Sequence, residues 1–288
     1  MSGFSAEWLA LREPHDHAAR STVELPAAFR EALRRVGRVS VLDLACGTGS
    51  NLRFLAPRLG GDQRWVLVDH DARLLACVRS TIDAWASREN VRVESTTQGF
   101  RLDASAWRCD VELRQADLGS AEAVALVDGR HLVTASALLD LVSASWLERL
   151  VERCVASRAA VHFALSYDGR VAFWPVDPTD DRVRSALNAH QRRDKGFGPA
   201  LGPEASAAAA TACERGGYAV DRLRTDWVVD ADAAAFQRAL VDGWASAAAE
   251  TTVVDAGEVQ SWHLRRAALV ARGESRLTVG HEDLFAWP

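Results

Sequence analysis

The stretch Val39-Ser-Val-Leu-Asp-Leu-Ala-Cys-Gly-Thr-Gly-Ser-Asn51 decides the fold of this chain. It begins as a short run of β-branched and aliphatic residues, the pattern of a strand buried on both faces. Gly47 and Gly49 then form a tight turn, and leucines at helical spacing follow. A buried strand, a glycine turn and a helix N-terminus bring unpaired backbone N–H groups to a surface that a ligand can approach closely. The stretch therefore predicts a site for a nucleotide-type cofactor.

A dinucleotide-binding fingerprint is the nearest rival to this interpretation. It requires G-x-G-x-x-G, in which the third glycine allows the helix to pack closely on the strand. Leu52 stands at the third position, which disfavours an NAD-dependent oxidoreductase. The strand also ends in an acid, Asp43, whose carboxylate can meet a cationic or hydroxylated ligand. A plain strand–turn–helix with two turn glycines is the simplest alternative.

These residues resemble the first motif of class I S-adenosylmethionine-dependent methyltransferases, an acid at a strand end followed by spaced glycines. Ala45 stands where many members have the first glycine, and alanine still permits a fairly close backbone approach. A second apolar run ends in Asp69, where a carboxylate can accept hydrogen bonds from both ribose hydroxyls. A third ends in Asp117-Leu118, and the resemblance implies that Asp117 accepts from the adenine amine while the Leu118 backbone faces the ring. The predicted cofactor is S-adenosylmethionine, and the predicted cofactor-binding residues are Asp43, Ala45, Gly47, Gly49, Asn51, Asp69, His70, Asp117, Leu118 and Ser136.

Composition limits the classes of protein that fit. The 288 residues, 48% of them hydrophobic and 25% charged, suffice for one large α/β domain or a domain with a cap. No apolar stretch approaches the length of about eighteen residues that predicts a membrane span, and the first residues lack the features of a secretory signal. Five dispersed cysteines indicate reduced thiols in a cytoplasmic protein and argue against a metal site. A net charge of −5 with scattered arginines disfavours a nucleic-acid partner.

Residues 4–37 are predicted to form two helices ahead of the first strand, with Pro14 ending the first and starting the second. Asp16 and Arg20 lie four residues apart on the second helix and are expected to form a solvated ion pair. The alternative is that this arm folds over the cofactor and sends a side chain into the pocket. The candidates for that side chain are Arg12, His15 and Arg20.

Alternating segments over residues 91–95 and 100–103 predict a β-hairpin inserted before the third core strand. The fourth strand, 131–136, is followed by a segment that contains Asp140. Because open α/β sheets place their chemistry at the carboxyl ends of the strands, this segment should border the substrate. Asp140 is therefore the first candidate for a general base, and support of the loop is its alternative role.

The fifth strand, 160–166, is predicted to turn at Asp168-Gly169 into a further strand. Tyr167 and Trp174 are expected to wall the pocket near the end of this strand. Both aromatic side chains suit a flat or cationic acceptor.

Residues 175–203 are rich in proline and glycine and contain a short helix near residues 180–190. A long excursion inside a compact domain is usually a lid or a binding loop. His190, whose imidazole titrates near neutrality, is the second candidate for a general base; a solvated charge run is the alternative. The segment has few large apolar residues, so it is predicted to lie outside the folding core.

Residues 218–229 are predicted to be the sixth strand, and residues 276–279 together with 284–287 supply the last. In the class I family the last two strands form an antiparallel hairpin at one edge of the sheet. Here two helices are predicted between them, which would build the cap or the interface of a homodimer.

The chain as a whole predicts an α/β fold: a doubly wound, seven-stranded sheet of the class I methyltransferase type with an N-terminal helical arm and helical cap insertions. The arm is residues 1–37, and the cofactor-binding domain is residues 38–288, with insertions near 91–108, 175–203 and 230–273. The resemblance implies methyl transfer to an oxygen, nitrogen or carbon nucleophile, and the insertions favour an enclosed pocket for a small-molecule acceptor. A non-catalytic module that binds the cofactor or a nucleotide is the alternative.

Overall fold

The computed structural model describes residues 4–288, so the first three residues of the predicted arm lie outside the described part of the chain. Within residues 4–288 the α-helices are α1 (Ala6–Arg20), α2 (Ala27–Arg34), α3 (Ser50–Leu59), α4 (Ala72–Glu89), α5 (Ala121–Ala125), α6 (Ala144–Ala156), α7 (Asp180–Gln191), α8 (Ala205–Arg215), α9 (Ala234–Ala249) and α10 (Ala256–Ala271). The strands are β1 (Arg38–Leu44), β2 (Gly61–Asp69), β3 (Arg92–Thr96), β4 (Gly99–Asp103), β5 (Trp107–Gln115), β6 (Leu132–Ser136), β7 (Ala160–Trp174), β8 (Ala219–Arg224), β9 (Trp227–Val229) and β10 (Arg276–Trp287). Short 3-10 helices cover Leu139–Leu141 and Gly202–Glu204.

One sheet runs through the molecule in the strand order β3-β4-β5-β2-β1-β6-β7-β10-β8, with β9 paired to β10. Strands β5, β2, β1, β6 and β7 are parallel, and β10 is antiparallel to β7. The part from β5 to β8 is the predicted seven-stranded, doubly wound sheet, with a hydrophobic core on each face. The α/β fold class is therefore confirmed, and β3, β4 and β9 extend the sheet beyond it.

The predicted β-hairpin before the third core strand is also confirmed. Strands β3 and β4 pair antiparallel, with Thr96 opposite Gly99, and β4 pairs with β5. A Cβ on Gly99 would lie 2.0 Å from the carbonyl oxygen of Val111. Only glycine lets the two strands meet at this point.

A layer of helices covers the last strands of the sheet. Helices α1, α7, α9 and α10 pack on β7, β9 and β10 around a hydrophobic core of their own. Phe173, Trp227, Phe236 and Trp262 are buried in this core. Helices α9 and α10, inserted between β9 and β10, thus lie where the sequence predicts a cap.

The prediction that Pro14 breaks the arm into two helices is wrong. Helix α1 continues through Pro14. Contacts on both sides of the proline hold the helix in place: Arg12 donates to Asp16 at 2.9 Å, and Glu13 accepts from Arg53 of α3 at 2.7 Å. The ion pair within the helix and the contact with α3 offset the hydrogen bond that proline cannot donate.

The predicted solvated ion pair between Asp16 and Arg20 is wrong as well, because both side chains are buried. Asp16 accepts hydrogen bonds from Arg12 and from Nε1 of Trp227 at 3.0 Å. Arg20 points elsewhere, with its Nε 3.4 Å from the carboxylate of Asp283 in β10. The arm is therefore anchored by buried charges on two sides.

Strand β7 is one strand of 15 residues, and the predicted turn at Asp168-Gly169 does not occur. Strand β10 pairs antiparallel along β7, and two register shifts in that ladder absorb the irregular backbone. Gly169 and Leu165 have φ values of 87° and 53° inside the strand. Trp174 consequently lies at the far end of the strand with 65% of its surface exposed, so it does not wall a pocket.

The predicted sixth strand, residues 218–229, is split into β8 and β9. The chain changes course at two polar residues between them: Oγ1 of Thr225 donates to Asp283, and Asp226 accepts from Arg170. Strand β10 pairs with both pieces, and it is continuous where the sequence suggested two segments.

The first half of the excursion after β7 belongs to the folded core. Helix α7 buries apolar side chains in the hydrophobic core that lies between the helix layer and strands β7, β9 and β10. Asp180, at its start, pairs with the buried Arg266 of α10 and accepts from Nε1 of Trp262 at 2.8 Å. The prediction that residues 175–203 lie outside the folding core is therefore wrong for α7. For the irregular residues 192–201 it stays a prediction.

Candidate active site

The glycine loop joins β1 to α3 through left-handed backbone. Ala45, Gly47 and Gly49 have φ values of 54°, 54° and 83°. Gly49 is the N-cap of α3 and no side chain caps that helix, so the N–H groups of its first turn are left to a ligand. Ala45 adopts this conformation at a cost of about 1 kcal/mol relative to glycine.

Helix α1 lies directly on the glycine loop. A Cβ on Gly47 would lie 2.9 Å from Cδ1 of Leu9, so the leucine side chain would have to shift to make room for it. Glu13 accepts two hydrogen bonds from Arg53, at 2.7 and 2.6 Å, and Arg53 in turn donates to the carbonyl of Thr48 in the loop at 2.7 Å. The arm therefore closes over the loop from the side of α3.

The end of β2 is tied to the same loop. Each carboxylate oxygen of Asp69 accepts one backbone N–H: Oδ2 from Gly47 at 2.8 Å and Oδ1 from Asp71 at 2.9 Å. Because each oxygen retains a further lone pair, the carboxylate is oriented and can still accept from two ligand hydroxyls. His70 is exposed beside it, with Nδ1 at 3.3 Å from Oδ1 of Asp69. This geometry fits a ribose.

The loops after β5 and β6 supply the remaining predicted contacts. Asp117 is exposed, and its Oδ1 accepts from the N–H of Gly119 at 2.9 Å, which leaves Oδ2 for a ligand amine. Leu118 is buried, and Nε1 of Trp146 donates to its carbonyl at 2.6 Å. Ser136 is half-buried at the end of β6. Adenine would lie against a backbone that the protein already fixes.

The structure places Asp43 beneath the glycine loop, not on the surface where the sequence analysis expects it to meet a ligand. The side chain is fully buried, and Oδ1 accepts from Nδ2 of Asn51 at 2.8 Å. The same Nδ2 lies 3.1 Å from Oγ1 of Thr134. Burial raises the pKa of Asp43 to about 7, although the Asn51 hydrogen bond and the charge of Arg20 oppose the shift. Asp43 and Asn51 thus support the loop from below.

Asp140 lies in the 3-10 helix that follows β6, and 6% of its surface is exposed. Burial raises the pKa of its carboxyl to about 6, although the charges of Arg12 and Lys195 oppose the shift. A carboxyl group with this pKa is mostly ionised at neutral pH and can still accept a proton in a transition state. The position at the carboxyl edge of the sheet suits a group that contacts an acceptor.

His190, the second candidate base, has both ring nitrogens engaged. Nε2 lies 3.3 Å from Oε2 of Glu250 at the end of α9, and Nδ1 lies 3.4 Å from Nζ of Lys195. Since an ammonium only donates, Nδ1 accepts and Nε2 carries the proton that is shared with Glu250. Burial and the charge of Lys195 lower the pKa of His190. The imidazole is therefore a support for Lys195 more than a free base.

Lys195 is the residue that sequence reasoning missed. Its Nζ contacts His190, and its charge lowers the pKa values of both Asp140 and His190, so one side chain influences the two candidate bases. Burial and the charge of Arg193 lower the pKa of its ammonium group. The composition could have drawn attention to this residue, because the 34 lysine and arginine residues of the sequence include a single lysine, Lys195.

The arm residues that were candidates for the pocket have separate positions. Arg12 approaches Asp140 closely enough to influence its pKa. His15 stacks on Phe236 of α9 at 4.2 Å between ring centroids, and Arg20 lies beneath α3 beside Phe54. Of the three, Arg12 is the one placed at the edge of the sheet where Asp140 lies.

Among residues 4–288 no group of three or more histidine, cysteine or acidic side chains has the arrangement of a metal site. None of the helices in the same range is long and apolar enough to cross a membrane.

The comparison with protein families identifies the class. Residues 41–157 match the family described as "Methyltransferase domain". No curated protein matches the sequence. Residues 41–157 are therefore a methyltransferase domain, and the sheet order and the glycine loop agree with the class I family of methyltransferases, whose cofactor is S-adenosylmethionine.

Solved structures with a similar fold come from several bacteria. The cyclopropane synthase MmaA2 from Mycobacterium tuberculosis is 12% identical with a TM-score of 0.47, over 99% of this chain and 95% of that one. A methyltransferase from Geobacter sulfurreducens, solved with S-adenosyl-L-homocysteine, is 17% identical with a TM-score of 0.42, over 96% and 98%. An O-methyltransferase family protein from Burkholderia thailandensis is 14% identical with a TM-score of 0.43; the match covers 96% of this chain but spans only 57% of that protein.

Proposed function

We propose that this methyltransferase transfers the methyl group to an oxygen, nitrogen or carbon nucleophile of a small-molecule acceptor. The observation that carries the proposal is Asp140, a buried carboxyl at the carboxyl edge of the sheet whose pKa is about 6 and is influenced by the charges of Arg12 and Lys195. A carboxylate in this position can bind and deprotonate an acceptor hydroxyl or amine.

The enclosure of this edge of the sheet supports a small acceptor. Helix α1 packs on the glycine loop with Leu9 against Gly47. From the other side, the ring of Phe197 packs edge-on against Trp146 at 5.5 Å, and the N–H of Leu201 donates to the carbonyl of Val142 at 2.8 Å. A polymer would have to displace both segments, whereas a small molecule fits beneath them.

We propose a specific role for each of three cofactor-binding residues. Asp69 would accept from the ribose hydroxyls, Asp117 from the adenine amine, and the backbone of Leu118 would face the ring. When bound, the cofactor supplies the activated methyl group. The glycine loop provides close approach, and the first turn of α3 provides the unpaired N–H groups.

The protein's own part in the reaction is positioning and proton removal. The covered edge holds the acceptor nucleophile in line and excludes water. Where the nucleophile carries a proton, the Asp140 carboxylate would accept that proton. Arg12 and Lys195 keep Asp140 ionised before this step, because their charges oppose the effect of burial.

A non-catalytic binding module remains the second candidate, and an NAD-dependent oxidoreductase the third. The cytoplasmic location, the homodimer, the absence of a nucleic-acid partner and the division into an arm (1–37) and a domain (38–288) stay proposals.

Calorimetric titration with S-adenosylmethionine, S-adenosylhomocysteine and NAD tests the cofactor assignment. We expect the first two to bind at micromolar or lower concentration and NAD not to bind. Turnover of any small acceptor excludes the passive module. Binding of NAD alone would overturn the proposal.

A further inference from the structure

A cavity of about 280 Å³ lies on the sheet face that carries α2 and α3, away from the glycine loop. Its walls are the segment that joins α1 to α2, the outer turns of α3, and the side chains of β7 and β10 beneath. None of the predicted cofactor-binding residues lines it, nor do Asp140, His190 or Lys195. It is therefore separate from the proposed active site.

The floor of the cavity is a buried polar cluster whose hydrogen bonds are incomplete. Nε2 of His162 donates to Asp283 at 3.0 Å, and Nε of Arg20 lies 3.4 Å from the same carboxylate. Within residues 4–288, Nδ1 of His162 and both Nε and Nη2 of Arg20 have no hydrogen-bond partner in the protein, although both side chains are at least 98% buried. Buried polar atoms of this kind are normally satisfied by water or by a ligand.

The same cluster continues toward the glycine loop. Asp43, Thr134 and His162 lie opposite one another in the registers of β1, β6 and β7. Oδ2 of Asp43 and Oδ1 of Asn51 are also buried without a partner. Five of the eight unpartnered buried side-chain atoms found in residues 4–288 belong to Arg20, His162, Asp43 and Asn51, so most of them lie in the cavity floor and its continuation.

The walls of the cavity carry an excess of positive charge. Arg30 and Arg58 line it, and neither forms a salt bridge with a carboxylate in the described residues. Arg20 also lines it, while the acids on the wall are Glu24 and Asp283. The carboxylate of Asp283 is already occupied by His162, the N–H of Leu165 and Thr225. An anionic group is the charge that this surface accepts.

The aromatic rings beside the cavity are already covered by neighbouring side chains. The ring of His162 stacks on Phe285 with centroids 4.3 Å apart and planes 9° apart. Phe54 carries the guanidinium of Arg20 at 4.0 Å from its ring centroid and that of Arg58 at 3.6 Å. The half-buried side chains of Val23 and Leu25 are the apolar part of the wall that a ligand can contact.

From these observations we infer that the cavity is a second ligand site, which binds a small molecule bearing a carboxylate or phosphate. The unpartnered donors of Arg20 on the floor and the guanidinium groups of Arg30 and Arg58 hold the anionic group, and Val23 and Leu25 border the rest of the molecule. The site does not depend on the proposed methyl transfer, so its test is a binding measurement that is independent of turnover.

The test uses fluorine NMR with 4-fluorobenzoate and 4-fluorophenyl phosphate as probes and 4-fluorobenzamide as the uncharged control. Saturating S-adenosylhomocysteine is present throughout to fill the cofactor site. We expect at least one anion to bind saturably and the amide to bind at least about tenfold more weakly, a difference of about 1.4 kcal/mol. A preference between the two anions identifies carboxylate or phosphate as the head group.

Substitutions of the cavity residues test whether the anion binds in this cavity. Arg30→Gln and Arg58→Gln are each expected to raise the dissociation constant of the bound anion at least about fivefold. Arg34→Gln on the same helix α2, exposed and outside the cavity wall, is the matched control and should bind as the wild type does. Leu25→Phe, which narrows the cavity without changing charge, should also weaken binding. Equal binding of amide and anion, no anion binding below about 10 mM, or unchanged affinity in both Arg30→Gln and Arg58→Gln would overturn the inference.

Discussion

Oδ2 of Asp69 accepts a 2.8 Å hydrogen bond from the backbone N–H of Gly47, which joins the end of the second strand to the glycine loop. The carboxylate therefore fixes the loop, and in the proposed cofactor site it would also contact the ligand. Both tasks use the same oxygens, because a backbone N–H occupies one acceptor site on each of them.

Asp69→Ala should raise the dissociation constant of S-adenosylhomocysteine at least tenfold. The variant loses two charge-assisted hydrogen bonds to the ribose, each worth about 1.5–3 kcal/mol, and it also releases the N–H of Gly47. Release of the Gly47 N–H is expected to lower the melting temperature slightly. Asp71→Asn is the control: it keeps the N-cap of α4, so affinity should not change. Isothermal titration giving equal affinity for Asp69→Ala and the wild type would refute the ribose contact.

Asp140→Asn should lower turnover about 10²–10⁴-fold, the usual contribution of a general base. Wild-type turnover should rise with pH through about 6 as Asp140 ionises. His190→Gln is the comparison: because its imidazole supports Lys195, turnover should stay within about tenfold of wild type. Near-normal turnover of Asp140→Asn between pH 6 and 9 would mean that catalysis depends on positioning alone.

Asp140→Asn is also expected to change the free energy of unfolding in a pH-dependent way. Burial raises the pKa of Asp140 from 3.8 to about 6, so the ionised carboxyl destabilises the folded state. Stability present at low pH is lost as the pH rises between these two values, and the loss is about 1–3 kcal/mol at pH 7. Asp140→Asn should therefore match the wild type near pH 4 and exceed it at pH 7 in urea unfolding. A variant less stable at pH 7 would contradict this sign.

Asp283 should give the opposite pH dependence. Burial acts to raise its pKa, but the His162 hydrogen bond and the charge of Arg20 outweigh that effect and lower it to about 2. The ionised form therefore stabilises the fold above pH 4, and about 2 kcal/mol is lost as the pH falls toward 2. Asp283→Asn should cost about 3–5 kcal/mol at pH 7, because Arg20 is left without its carboxylate. Asp181→Asn, at an exposed ion pair, should cost almost nothing; equal losses for the two variants would contradict the role of Asp283.

Replacing residues 193–199 by a Gly/Ser linker of equal length should leave the protein folded and able to bind the cofactor. Turnover should fall more than about tenfold, because Lys195 is lost and the edge of the sheet is opened to water. Removal of residues 177–201 should instead unfold the cap, since α7 and Asp180 are buried in it. Melting temperature, cofactor titration and turnover distinguish these outcomes; full turnover of the short replacement would place the acceptor elsewhere.

The sheet could be predicted from sequence because each central strand is a continuous apolar run followed by turn-forming or polar residues. Val41, Leu42 and Leu44 of β1 are all buried, and so is the apolar part of β2. The errors occurred where tertiary contacts override local signals. Pro14 lies inside a helix held by ion pairs, and Asp168-Gly169 lies inside a strand held by a long partner strand.

The candidate site was predictable where a motif has a fixed place in the fold, as with Gly47, Gly49 and Asp69. Burial of Asp43 and the contact of Arg20 with Asp283 could not be predicted, because they depend on residues far apart in the chain. Lys195 lay within a charged run that resembled a solvated surface, and its pairing with His190 required the turn of the chain after α7.

The most direct test of the central claim is the transfer of a labelled methyl group from S-adenosylmethionine to a low-molecular-mass extract. The wild-type protein is predicted to move label into the small-molecule fraction, with Asp140→Asn and Asp69→Ala giving little or none. Label that appears only in protein or nucleic acid, or no transfer by a wild type that binds the cofactor, would contradict the account.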